Sequence, residues 1–346
     1  MYIFSVRYCS LHHHRFSLKV WLVTSFVVLA SCLVFVQVFI ENTGLKSKAS
    51  HMSVVGKLLK KLKFYTKGLV ALNILLISAT YGVVCSVFLS LIGKKELAQW
   101  STARFYYHFF SFVMRTKINI DRPELLSQLP AILISNHQSE LDIYMLGRIF
   151  PQRCVVTAKK QLKYIPFLGW FMAASGTFFL DRSNKESAIR TLNKALDDLK
   201  SNKGGLFMFP EGTRSYSPTP TLLPFKKGAF HLAVQAQIPI IPLVVSNTSN
   251  IYSMKSDNFN RGEINIRVLD PVPTVGLTKD DVAKLTEDVY NKMNKAVHEL
   301  GMSHVYGEEA PCIEENPEIH EENSVPETAA TDATVVSETT NLLQKN

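Results

Sequence analysis

The chain has 346 residues, 47% of them hydrophobic, and a formal net charge of +9; at roughly 100–200 residues per domain this allows one large domain or two small ones with appendages. Its five cysteines, Cys9, Cys32, Cys85, Cys154 and Cys312, are far apart in sequence, which excludes a disulfide framework or a cysteine zinc site and leaves free thiols. Lysine and arginine do not interleave with aromatics as in a strand-binding groove, so nucleic acid is excluded in favour of anionic lipid or a phosphate-bearing ligand.

In chain order, Val20 to Ile40 ("VWLVTSFVVLASCLVFVQVFI") comes first and carries no charge. It exceeds the ~18 apolar residues of a membrane span. A secretory signal would have a core of about 7–15 residues and then a small-residue cleavage site, and neither is present. Next, Lys57, Lys60, Lys61, Lys63 and Lys67 crowd before a second uncharged run, Leu69 to Ile92. The lysines favour a cytosolic leaflet. Met52 is an alternative start, since the residues after it read as a complete amphiphilic N-terminus. The aromatic stretch Gln99 to Met114 is expected at the membrane interface against the body, or as a core helix.

From Pro130 the pattern alternates. "AILISN", "RCVVTAK", "GTFFLD", "GLFMFP", "IPIIPLVVS" and "INIRVLD" read as short buried strands. Helices separate several of them. One runs from Ser183 to Asn202, opened by the capping box "SNKE"; another from Thr278 to Leu300 repeats Val282, Leu285, Val289, Met293 and Val297. Strands alternating with helices predict an α/β layer. From Glu308 to Asn346 ten acidic residues face one lysine, so the rest of the chain carries +18. This tail has no aromatic residue and is expected to be disordered.

Three clusters could carry chemistry. His137 follows a strand, where an α/β protein places its ligand, and Asp142 stands five residues on. A carboxylate on one imidazole nitrogen leaves the other basic. Alone, the pair is also compatible with a strand ending in a turn. Ser139 could complete a hydrolase triad, but no "GxSxG" elbow exists, so a substrate hydroxyl becomes the expected nucleophile. One His and one Asp are too few for a metal. The second cluster, "FPEGTR" (Phe209 to Arg214), combines a glycine that permits close approach with an arginine fork suited to phosphate; a solvated arginine after a tight turn is the bland alternative. In the third, Lys159 and Arg182 flank an apolar section with Pro166, Gly169 and Trp170, which suits a ligand with a phosphate head and an apolar tail.

Together these clusters resemble the four sequence blocks of the glycerolipid acyltransferase family, which includes the lysophosphatidate acyltransferases. "NHQSELD" matches its N-H-x-x-x-x-D block, "GTFFLDR" the second, "FPEGTR" the third and "IPIIPLV" the fourth. Lys159, Leu162, Gly169 and Arg182 match a further spacing of the family, and "LPFKKGAFHLA" is similar to fungal, budding-yeast type members. The resemblance covers about Met52 to Leu300. It implies a glycerol-phosphate acyltransferase fold, a mixed α/β sheet flanked by helices and preceded by N-terminal membrane helices.

The resemblance also implies roles. His137 would be the general base toward the acceptor's sn-2 hydroxyl, oriented by Asp142. The acyl group would come from acyl-CoA, a co-substrate, to 1-acyl-sn-glycerol 3-phosphate (lysophosphatidic acid), giving phosphatidic acid and CoA. Glu211, Gly212, Thr213 and Arg214 would bind glycerol phosphate, Lys159 and Arg182 would hold the phosphate, and Pro242 would shape the pocket. No cofactor or metal is implied. The expected organisation is an extension 1–51 with a span at 20–40, a segment 52–115 with a membrane element at 69–92, an acyltransferase domain 116–304 and a tail 305–346. The location implied is the endoplasmic reticulum membrane or the lipid droplet. Acceptors such as glycerol 3-phosphate or another lysophospholipid, a thioester hydrolase, and a non-catalytic lipid-binding protein remain the alternatives. Full crossing by 69–92 would put the body in the lumen, where the "NTS" sequon at Asn247 would matter; a re-entrant element would leave it cytosolic, and Gly82 permits either.

Overall fold

The computed structural model describes residues 54–180 and 201–307, together with Thr191, Leu196 and Leu199. The expected span at 20–40, Met52, Arg182, most of the helix at 183–202 and the acidic tail lie outside the described residues.

The first element, α1, is one 38-residue helix, Val54–Leu91. The lysine-rich stretch and the apolar run belong to this single helix, because no proline separates them and Gly68 and Gly82 are tolerated within a long apolar helix. A stripe at helical spacing is buried: Phe64, Lys67, Val70, Ile74, Ser78, Gly82 and Ser86. The opposite face exposes Leu72, Ile77, Val84, Val87, Phe88 and Leu91. Four of the five lysines are exposed, but Lys67 is buried and donates from Nζ to the Phe259 carbonyl at 3.0 Å. After Gly93 the chain turns and α2, Ala98–Met114, packs back along α1. Its stripe Thr102, Tyr106, Phe110 and Met114 enters the core while Phe112 faces out. It is thus a core helix with one exposed apolar flank.

The body is an α/β sandwich around one sheet. Its strands are β1 (Lys117–Asp121), β2 (Ala131–Ser135), β3 (Cys154–Lys159), β4 (Phe178–Leu180), β5 (Gly205–Met208), β6 (Ile240–Val245), β9 (Gly262–Val268) and β10 (His304–Val305). A separate hairpin pairs β7 (Tyr252–Ser253) with β8 (Asn258–Phe259). The order across the sheet is β1-β9-β6-β2-β5-β3-β4, with β10 on β9. Strands β6, β2, β5, β3 and β4 are mutually parallel, and β9 is antiparallel to β6.

Strands buried on both faces need apolar residues at every position, which is why they read as continuous apolar runs. Alternate residues of β2 face opposite layers. Leu133 joins Phe110 and Tyr144 on one side, and Ile132 and Ile134 join Phe230 and Val289 on the other. All three β2 residues are fully buried, worth roughly 1.5–3 kcal/mol each. The first layer holds α1, α2 and α3 (Asp142–Ile149). The second holds α5 (Gly228–Ala236) and α6 (Val282–Leu300); α4 (Leu168–Ala174) packs on α1. Helix α6 buries Val282, Leu285, Val289, Met293 and Val297. It begins four residues later than expected, because the Asp281 carboxylate takes the Thr278 N–H and hydroxyl, both at 2.8 Å, and closes 278–281 as a turn.

Gly82 is neither a break nor a bend. A Cβ there would lie 2.5 Å from the Phe171 ring and 2.8 Å from the Thr102 side chain, so the glycine is where α1, α2 and α4 meet. Gly82→Leu is expected to destabilise the protein: overpacking costs about 1–3 kcal/mol, more than the ~0.5–1 kcal/mol gained in helix propensity. Thermal unfolding in detergent micelles checks this, and an unchanged midpoint contradicts it.

Candidate active site

Strands β6, β2, β5 and β3 are parallel neighbours, so their C-terminal ends share one edge of the sheet. The first two sequence clusters lie there, each just past a strand, and Lys159 of the third ends β3 at the same edge. Asn136 first continues the pairing of β2 with its side chain, which accepts from the Val245 N–H at 2.9 Å and donates to the Val245 carbonyl at 3.0 Å. That ties the end of β2 to β6 and fixes where the next residue begins.

The next residue is His137. Its Nδ1 lies 2.6 Å from Oδ2 of Asp142. Asp142 is the first residue of α3 and is 3% exposed. The same oxygen accepts the backbone N–H of Gln138 at 2.7 Å and of Ser139 at 3.2 Å. One carboxylate oxygen therefore holds the imidazole and the loop that carries it. The ring stacks on Phe209, centroids 4.0 Å apart and planes 16° apart. With Nδ1–H donated to Asp142, Nε2 is the nitrogen left to act as a base. Ser139 accepts the Leu141 N–H on its hydroxyl at 3.2 Å, a side-chain turn just ahead of the helix.

The turn after β5 supplies a second carboxylate. Glu211, 3% exposed, accepts the His137 backbone N–H on Oε1 at 2.8 Å and the Leu223 N–H on Oε2 at 3.2 Å. Both oxygens point into protein backbone. Burial pushes its carboxyl up to about 7, against these two bonds, which favour the charged form; the charge of Asp142 adds to the rise. Ser215 and Tyr216 then donate their N–H groups to the carbonyls of His137 and Gln138 at 2.9 and 3.0 Å. The two motif loops are laced together over a separation of more than seventy residues.

Arg214 donates from Nη1 to Glu140 at 2.9 Å and to the Tyr216 hydroxyl at 3.3 Å, and that hydroxyl donates to Glu140 at 2.7 Å. Its Nε is buried without a hydrogen-bond partner among the described residues, while the side chain as a whole is about one-third exposed (36%). Beside this group lies a cavity of about 210 Å³ lined by Gln138, Ser139, Tyr216, Thr248, Tyr252 and Lys255 among others. Burial pushes the Tyr252 phenol up to about 12, with the charge of Glu140 adding, so it is a hydroxyl at neutral pH.

The other expected site residues are spread more widely. Lys159 ends β3 with its side chain exposed. Gly169 lets α4 begin against the preceding turn, since a Cβ there would meet the Lys163 carbonyl oxygen at 2.2 Å. Gly212 takes φ +71° in the turn after β5, and Thr213 beside it is exposed. Pro242 is buried within β6, paired with Ile134 of β2, and its carbonyl accepts the Leu269 N–H at 2.9 Å. Among the described residues no three His, Cys, Asp or Glu side chains are placed to hold a metal ion. The sequence did not reveal Glu140 as the partner of Arg214, nor the backbone role of Glu211; both span more than seventy residues and have no local signature.

Three comparisons bear on this arrangement. A family model described as Acyltransferase matches residues 117–246. The 1-acyl-sn-glycerol-3-phosphate acyltransferase of Saccharomyces cerevisiae is 52% identical over 252 residues, 73% of this chain and 82% of that protein. An uncharacterized acyltransferase of Schizosaccharomyces pombe is 40% identical over 76% of this chain and 96% of its own. The crystal structure of the 1-acyl-sn-glycerophosphate (LPA) acyltransferase PlsC from Thermotoga maritima has the same fold, with a TM-score of 0.55 and 24% identity over 70% of this chain and 95% of that one.

Glu211 gives a pH dependence with a definite sign. Its folded carboxyl keeps a proton up to about pH 7, against an ordinary value of 4.5. Between those values the folded state binds more protons than the unfolded state, so this group makes stability fall as pH rises. Glu211→Gln removes that component. Unfolding midpoints of the variant between pH 5 and 7 are expected to change less than the wild type's; parallel curves contradict the assignment.

Proposed function

Since the chain belongs to the 1-acyl-sn-glycerol-3-phosphate acyltransferase family, we propose that His137 and Asp142 carry out acyl transfer from acyl-CoA to the sn-2 hydroxyl of 1-acyl-sn-glycerol 3-phosphate. The protein is an O-acyltransferase that produces phosphatidic acid. The observation that carries the mechanism is the 2.6 Å contact between His137 Nδ1 and Asp142, which leaves Nε2 free. His137 Nε2 takes the proton of the acceptor hydroxyl. The oxygen attacks the thioester carbonyl, the C–S bond breaks, and the CoA thiolate leaves with the proton held on the imidazolium. Asp142 stabilises the imidazolium without becoming protonated. Base catalysis of this kind contributes about 10²–10⁴ in rate, and orientation of two bound substrates adds several kcal/mol.

Substrate binding falls to the remaining motif residues. Arg214, held by Glu140 but still partly exposed, and the exposed Lys159 are cations available to phosphate. Arg182 is assigned to the phosphate from its motif alone. Glu211 supports the site from behind by holding the His137 backbone. Gly212 and Thr213 shape the turn between Glu211 and Arg214, and Pro242 shapes the strand below the base. The reaction needs no cofactor beyond its co-substrate.

The protein associates with membrane through an apolar helix, Gly56–Leu91. We place it at the endoplasmic reticulum membrane with its body on the cytosolic side. The buried stripe of α1 runs from Phe64 to Ser86, about 33 Å at 1.5 Å per residue. A helix crossing a bilayer upright leaves a water-soluble body at one end only. A helix packed on its body over that length supports insertion into one leaflet. Tyr164, Ile165, Phe167 and Trp170 are exposed beside α4, which packs on α1, and extend the apolar surface toward Lys159.

His137→Ala is expected to lower transfer by about 10²-fold or more with the unfolding midpoint retained. The assay follows CoA release from acyl-CoA with lysophosphatidate, glycerol 3-phosphate and other lysophospholipids in turn. Full activity in the purified variant removes the mechanism, release without any acceptor marks a hydrolase, and a preference for another acceptor reassigns the substrate. In sealed, cytosol-side-out microsomes a tagged 116–304 region is expected to be digested by added protease; protection would put it in the lumen.

A further inference from the structure

The phosphate side of this site has a charge problem. Asp142 and Glu140 stand at its motif loops, with Glu211, whose buried carboxyl is pushed up to about 7, behind them, and Glu140 is engaged with Arg214. A phosphate-bearing substrate entering such a field is repelled unless a further cation faces it. The "LPFKKGAFHLA" segment that follows the turn supplies one.

We propose that Lys226 is a substrate-binding residue whose ammonium, laid across Gly212, takes a phosphate oxyanion of one of the two substrates. This rests on the acyl-transfer reading above. A Cβ built on Gly212 would lie 2.8 Å from Lys226 Nζ, 2.9 Å from its Cδ and 3.0 Å from its Cε. The lysine stem thus occupies the space that any other residue at 212 would fill. Its position is built in rather than incidental. The Lys226 N–H donates to the Pro210 carbonyl at 2.8 Å, and three residues earlier the Leu223 N–H donates to Glu211. The segment 223–226 is therefore tied at both ends to the turn that carries Glu211 and leads into Arg214.

The ammonium is not there to neutralise its neighbour. Both Glu211 oxygens are committed to backbone N–H groups. Among the described residues the Lys226 ammonium has no carboxylate or carbonyl partner, although its side chain is exposed at the edge of the site. A cation laid over the turn from a backbone tied to it, two residues from Arg214 and next to the carboxylate that holds His137, matches the chemistry of a phosphomonoester or a diphosphate. The acceptor and acyl-CoA both carry such groups, and the kinetics separate them.

The test compares Lys226→Met, which keeps a stem of similar length without the charge, with Lys226→Arg and with Lys227→Met as a control. Full-length protein in detergent micelles is assayed at fixed micelle composition. For Lys226→Met, KM for either lysophosphatidate or acyl-CoA is expected to rise about tenfold, about 1.4 kcal/mol, with kcat within twofold. Lys226→Arg should recover most of the loss and Lys227→Met should resemble the wild type. A rise for lysophosphatidate assigns the contact to the acceptor phosphate, and a rise for acyl-CoA assigns it to the CoA phosphates. Both KM values within twofold of wild type, or a fall in kcat with neither KM changed, overturns the proposal. Calorimetric titration with glycerol 3-phosphate and with CoA decides the same question without turnover: weaker binding of one supports it, unchanged binding of both overturns it. A wild type that transfers to no acceptor defeats the acyl-transfer reading, while these titrations still decide Lys226.

Discussion

One oxygen of Asp142 accepts three hydrogen bonds, from the His137 ring and from the N–H groups of Gln138 and Ser139. The arrangement of the site depends on that convergence. A buried carboxylate is costly to desolvate, and three donors on it offset the penalty. The same bonds fix the tautomer of the ring and the path of its loop, so an error in either disturbs both. Placing Asp142 at the start of α3 adds the favourable field of a helix N-terminus to the anion.

Carboxylates do most of the holding elsewhere in the site as well. Glu211 grips the His137 backbone from the β5 turn and Glu140 steadies Arg214. The acidic residues thus form a frame behind the reacting groups, and cations stand in front of it. This explains why a site built for anionic substrates contains so many acidic side chains. They face backbone donors and one guanidinium.

Much of this was legible in the sequence because it is local or periodic. The runs at β2, β5 and β6 became strands because a parallel sheet covered on both faces demands apolar residues throughout, while β9 shows the alternation of a strand buried on one face. His137 and Asp142 lie one loop apart, so their pairing could be expected. The two-fold use of α2, core stripe and exposed flank, was present in its aromatic pattern but could not be separated into faces without knowing what it packs on. The burial of Lys67 was illegible: its partner, the Phe259 carbonyl, is 192 residues away. Glu211 reads as a ligand-binding motif residue, and only the fold shows that its oxygens turn inward. The later start of α6 turned on Asp281 capturing Thr278, a competition between side chain and helix that composition does not resolve.

The apolar surface that continues from α1 onto Tyr164, Phe167 and Trp170 carries a kinetic consequence. An enzyme whose mouth opens at the level of the headgroups meets its lipid by lateral diffusion within a film, without extracting it into water. The relevant abundance of that lipid is then its mole fraction among its neighbours. Adding inert phospholipid at constant total substrate would slow the reaction by dilution in two dimensions, while the other, water-soluble substrate would still obey ordinary bulk concentration.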